Sequence, residues 1–142
     1  MSLEINLHLQ RATHRVGLVV EQLVDVGVTQ GEAHVLAHLH DVRTATISEL
    51  HAALAHKRST LTSILDRLAA RALVARDTHA ADRRTFVVSL TPEGEVAAAV
   101  VHARFAELED RVVARTSTAQ RKGFAAVLAA LVDASAEEPE LS

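Results

Sequence analysis

The residues of this 142-residue chain best suited to chemistry lie in its middle third. Ser59, Thr60, Thr62, Ser63 and Arg67 recur along one short segment, directly after the cationic pair Lys57-Arg58. A second basic group, Asp82-Arg83-Arg84, falls between two β-like runs and is followed by Leu90-Thr91-Pro92-Glu93-Gly94. Hydroxyls and guanidiniums at such spacing hydrogen-bond to base edges and phosphates. Arg67 is the best placed for bidentate contact with guanine. In the loop, Arg83 and Arg84 would stand at a hairpin tip. There one arginine can enter a narrow, strongly negative minor groove. Asp66 would repel phosphate unless an arginine holds it.

These groups need elements to position them. Thr46-Ile47-Ser48-Glu49 reads as a capping box that starts a helix to about Ala55, with Ile47, Leu50 and Leu54 inward. After a break near His56-Lys57, Leu61, Ile64, Leu65 and Leu68 mark one face of a second helix. At 100° per residue that face leaves Ser59, Ser63, Asp66 and Ala70 opposite the core, with Thr60, Thr62 and Arg67 on the flanks. Two short helices with a polar second member read as helix-turn-helix. The period then changes. Residues 73–76 and 85–90 alternate as strands around a polar loop over 77–84.

The ends of the chain are helical. Ile5, Leu9, Ala12, Val16, Val19, Leu23 and Val26 form a heptad-like stripe that predicts a helix over 3–26, closed by Gly27. A further helix is expected from Thr29 to His40, with Arg43-Thr44-Ala45 as a connection. Thr91-Pro92-Glu93 starts another, running to about Arg115, and the last begins near Ser117 or Thr118. The expected fold is therefore mainly α with a small β-wing. A winged helix-turn-helix lobe over 46–90 is flanked by dimerisation helices over 1–45 and 91–142, all in one domain.

Charge follows the same division. The net −3 is an average: residues 1–45 carry −2, residues 46–90 carry +3 and residues 91–142 carry −4. A basic middle between acidic ends suits a nucleic-acid reader flanked by assembly helices. With no cysteine, there is no disulfide, thiolate site or cysteine redox switch. No apolar run reaches the roughly 18 residues of a membrane span. A cytoplasmic protein is expected. Serine-histidine-aspartate spacing, a glycine-rich phosphate loop and a His-Glu-x-x-His motif are all missing, so an enzyme is not expected.

The pieces Ile47-Ser48-Glu49-Leu50, Ser59-Thr60-Leu61-Thr62, Leu65-Asp66-Arg67-Leu68, Leu73-Val74-Ala75-Arg76, Asp82-Arg83-Arg84 and Val88-Ser89-Leu90-Thr91-Pro92-Glu93-Gly94 occur in order. In this the chain resembles the MarR (multiple antibiotic resistance regulator) family of transcription factors. The resemblance spans roughly residues 28–135. It implies a homodimer on a pseudo-palindromic operator, with double-stranded DNA as partner and Arg84 as the wing arginine braced by Asp82. It further implies release of DNA by a small aromatic or lipophilic acid; His14, Arg15, His38 and Arg43 are the candidates to hold it. No cofactor is implied. His34 falls where some zinc-responsive relatives place a ligand, and His34 and His38 have chelating spacing. Their further ligand positions are occupied here by Val101 and Phe105, so no metal site is expected. A metal-responsive regulator and a protein-binding winged helix are the alternative readings. Two departures stand out. Ala72 replaces the family's glycine after the recognition helix, and Lys57-Arg58 replaces its small or polar cap.

Overall fold

A computed structural model of the chain describes residues 3–78 and 86–137. They divide into two compact units, the first reaching Arg104 and the second starting at Phe105. In the first unit lie α1 (Glu4–Glu21), α2 (Gln30–Val42), β1 (Thr44–Thr46), α3 (Ile47–Leu54), α4 (Arg58–Ala70), β2 (Val74–Thr78) and β3 (Phe86–Leu90). The helix α5 (Pro92–Val113) runs on from the first unit into the second, which also holds α6 (Thr118–Ala136). Sequence reasoning drew a boundary after Leu90. The first half of α5 nevertheless belongs to the first unit, where Gly94, Ala98 and Val101 are buried.

The winged lobe is assembled from short-range signals. Thr29 and Thr46 cap α2 and α3, each hydroxyl accepting from the amide three residues on. At Thr46 only this half of the expected reciprocal box is formed. Both halves occur at Ser117 and Gln120, at the start of α6. The core of the lobe joins Val35, Leu36 and Leu39 of α2 to Leu50 of α3 and to Leu61, Ile64, Leu65 and Leu68 of α4, all essentially inaccessible to water. Each fully buried leucine contributes about 2 kcal/mol. The apolar stripe of α4 is thus the anchor that leaves its other face outward.

The sheet has the order β1-β3-β2, antiparallel throughout. Of residues 43–45, expected as a connection, Thr44 and Ala45 join Thr46 in the sheet's third strand: Thr44 pairs with Ser89, Ala45 with Val88 and Thr46 with Val87. Three residues are too few for an alternation to show in sequence. Helix α1 also departs from expectation. It stops at Glu21, five residues before Val26, and Gly27 serves instead in a left-handed turn (φ 62°) ahead of α2.

At the exit of α4 the chain takes up the left-handed conformation at Ala72 (φ 55°), the alanine that departs from the resembled pattern. The next carbonyl, that of Leu73, accepts from the Thr91 amide, and the Thr91 hydroxyl donates to the carbonyl of Ala72. Thr91 also caps α5 by accepting from the Gly94 amide at 3.0 Å. The backbones approach so closely that a Cβ on Gly94 would stand 1.7 Å from the Leu73 oxygen. Two substitutions test this corner in thermal or denaturant unfolding. Ala72→Gly removes the left-handed strain and is expected to stabilise by about 1 kcal/mol. Gly94→Ala is expected to destabilise by more than about 2 kcal/mol.

Candidate nucleic-acid interface

The outward surface of α4 is short, polar and solvent-facing. Lys57, Arg58, Ser59, Thr60, Thr62, Ser63, Asp66 and Arg67 are all exposed, in contrast to the four buried apolar residues between them. Lys57 is the N-cap residue and makes no side-chain cap bond, so the first amides of α4 are left to outside acceptors. With Lys57 and Arg58 beside the positive end of the helix dipole, this end of α4 attracts anions. Thr62 and Ser63 each donate their hydroxyl to a carbonyl one turn back, at 2.9 and 3.0 Å. Their oxygens keep lone pairs free to accept, and Ser59 and Thr60 are exposed beside them.

Two ion pairs decide what the charged residues of α4 can do. Asp66 is held by Arg76 of β2, Nη1 to Oδ1 at 2.8 Å. This is the arginine that Asp66 called for. Arg76 lies opposite the buried Val88 in the sheet register, which puts its stem on the face toward α4. Arg67 has a partner that the sequence reading did not anticipate. Its Nε donates to Oε1 of Glu32 at 3.4 Å, and Glu32, at 4% exposure, is the one buried charged residue among those described. This bond uses Nε alone, and the Arg67 side chain stays 52% exposed. Nothing in the spacing of α4 announces the bond, because the partner lies 35 residues away.

The wing residues Asp82, Arg83 and Arg84 lie outside the described residues. Strands β2 and β3, which lead to them, pair in register from Val74–Leu90 out to Thr78–Phe86.

The four candidate ligand residues lie on α1 and α2. His14 and Arg15 are exposed on α1, His38 is half-buried on α2, and Arg43 is the C-cap of α2 with a positive φ of 72°. Leu108, Arg111, Val112 and Arg115 line a shallow, open surface groove on the second unit. Among the described residues no group of three or more His, Asp or Glu side chains is arranged to hold a metal ion. On the first unit the rings of His40 and His102 lie 4.3 Å apart, tilted by 38°, and His102 Nε2 meets Asp41 at 2.8 Å.

With its partly buried α4 and its wing strands, the first unit defines a winged helix-turn-helix protein. Residues 28–86 match the MarR family model. The HTH-type transcriptional repressor MdtR of Bacillus subtilis (strain 168) is 33% identical over 94 residues, 66% of this chain and 61% of that protein. MepR of S. aureus in its DNA-binding conformation superposes with a TM-score of 0.80 at 20% identity, over 92% of this chain and 97% of MepR. Bordetella bronchiseptica BpsR, whose DNA binding is regulated by 6-hydroxynicotinic acid, gives 0.71 at 25% identity, over 91% and 98%. Over residues 28–86 the chain is therefore similar to the MarR family, and its fold is that of solved MarR-family proteins. It spans about 61% of the length of the curated relative it matches. No helix among the described residues is long and apolar enough to cross a membrane.

One histidine near the interface carries a pH dependence. Burial holds the His34 imidazole below its ordinary value of 6.5, and His56, just ahead of α4, lowers it further. A base depressed on folding contributes stability that is complete above pH 6.5 and is lost as the pH falls through the lower folded value. The thermal midpoint should therefore drop between pH 7.5 and 5.5, and His34→Gln should make that drop smaller. An equal drop in both proteins would remove His34 from the account.

Proposed function

We propose that this chain is a sequence-specific DNA-binding transcription regulator that acts as a repressor. It binds a pseudo-palindromic operator as a homodimer and is released by a small aromatic or lipophilic acid. The observation that carries this reading is the exposed α4 face from Lys57 to Ser63, backed by a buried apolar stripe and with Asp66 neutralised by Arg76. Such a face in the major groove reads base edges through Ser59, Thr60, Thr62 and Ser63, while Lys57 and Arg58 neutralise phosphates. In this reading Arg67 keeps only the edge not used by Glu32, and Arg83 and Arg84, with Asp82 as brace, reach the adjacent minor groove.

What the single chain leaves uncovered supports a homodimer. On α1, Ile5 and Leu7 are 56% and 63% exposed. On α6 not one residue is buried, and Phe124, Val127 and Val132 face solvent. A helix that buries nothing has no reason to persist alone, because packing supplies most helical stability. A second copy of the chain covers these faces and doubles the number of base pairs read. A small acid as the releasing ligand is supported by the likeness to BpsR. His14, Arg15, His38 and Arg43 are its proposed contacts.

Fluorescence-anisotropy titration against DNA from the protein's own upstream region, over a salt series, tests the reading. Specific binding should weaken steeply with salt, by a slope of about 0.9 in log affinity per phosphate neutralised. Arg58→Ala should lower that slope by about one such unit. Arg84→Ala should weaken binding at least about tenfold with the dimer intact. No preference over random DNA at any salt would instead favour a winged helix that binds protein.

A further inference from the structure

The second half of α4 is attached to the rest of its unit by polar bonds that the core does not require. Arg71, its C-cap residue, donates from Nη1 to the carbonyl of Gly27 at 2.9 Å and from Nη2 to that of Val26 at 2.6 Å. One turn earlier, Arg67 reaches Glu32 on the first turn of α2. The two arginines, four residues apart, project from the same side of the helix. They grip two successive points of one segment, the turn after α1 and the start of α2.

Both acceptors are well prepared. The Val26 and Gly27 carbonyls belong to the left-handed turn at Gly27, and Val26 itself is 7% exposed and packed. Glu32 has its amide bound by the Thr29 hydroxyl at 3.2 Å. A planar guanidinium that serves two carbonyls at once fixes direction as well as distance, which a lysine ammonium does not. The four buried residues of α4, Leu61, Ile64, Leu65 and Leu68, already account for its docking. A two-point grip at one end adds control of the rotation and tilt of the helix.

We propose that Arg71, assisted by Arg67 and Glu32, is a positioning residue. It sets the orientation of the recognition helix against the turn that ends α1, and so the separation at which two such helices read DNA. This rests on the dimeric DNA-binding reading above, with α1 as part of the dimer face. Arg71 touches no base in this scheme; it acts through α4.

The probe is a duplex selected by the wild-type protein from a random library, together with versions carrying one base pair inserted or removed at its centre. Wild type should bind the altered spacings at least about tenfold more weakly. In Arg71→Ala that penalty should shrink to about threefold or less, with the salt slope unchanged, and Arg71→Lys should not restore it. A phosphate-contacting role would instead lower the salt slope by about 0.9 and weaken all spacings alike, and that result would overturn the proposal. Glu32→Gln, which keeps the shape of the α2 start, should move the spacing penalty in the same direction and guards against misfolding of the first variant. Amide hydrogen exchange gives a readout free of DNA. Arg71→Ala should speed exchange at residues 23–28 and 69–73 while residues 35–39 and 61–65 stay protected. Unchanged exchange at 23–28 and 69–73 would contradict the clasp. Failure of the wild type to select any DNA counts against the regulator reading alone, and exchange then decides the clasp.

Discussion

Most of the winged lobe depends on one backbone approach, that of Gly94 to the Leu73 carbonyl. A side chain at 94 cannot fit there, so α5 starts against the point where α4 turns into β2. Thr91 reinforces the corner by bonding the Ala72 and Leu73 carbonyls while capping α5. The corner thereby fixes the start of β2 and the end of β3 relative to the exit of α4. The strain at Ala72 is the local consequence, a left-handed alanine where glycine would sit without penalty.

From that corner the polar surface follows. The sheet register places Arg76 beside Val88 with its head at Asp66, which turns the one acid on the outward face of α4 into half of an ion pair. What remains outward is hydroxyl and cation. An exposed pair such as this adds little stability. Its larger effect is on the field, because the face of α4 no longer repels phosphate. The overall −3 therefore says little about the partner. The +3 of residues 46–90 is the local quantity that a polyanion meets.

Helices α2 to α6 were legible because their signals are local: apolar spacing, threonine and serine caps, proline in the first turn. Leu61, Ile64, Leu65 and Leu68 all lie in the core, as their spacing required. The strand at Thr44–Thr46 was not legible, since three residues carry no period and its partner lies past the wing. The early end of α1 escaped for a related reason: its stripe continues through Leu23 and Val26 although the backbone has turned. For the candidate interface, residue types and facing could be read from α4 alone, but the side-chain partners could not. The need of Asp66 for an arginine was visible, whereas the ties of Arg67 to Glu32 and of Arg71 to Val26 and Gly27 span 35 to 45 residues and leave no local trace.

The central claim is that two copies of this chain present two recognition helices to one DNA site. Sedimentation velocity of the protein with a selected duplex, and with the same duplex after one half-site is scrambled, tests it directly. The account predicts a complex of two chains per intact duplex and a large loss of binding when either half-site is scrambled. A complex of one chain per duplex, or binding indifferent to the loss of a half-site, would contradict it.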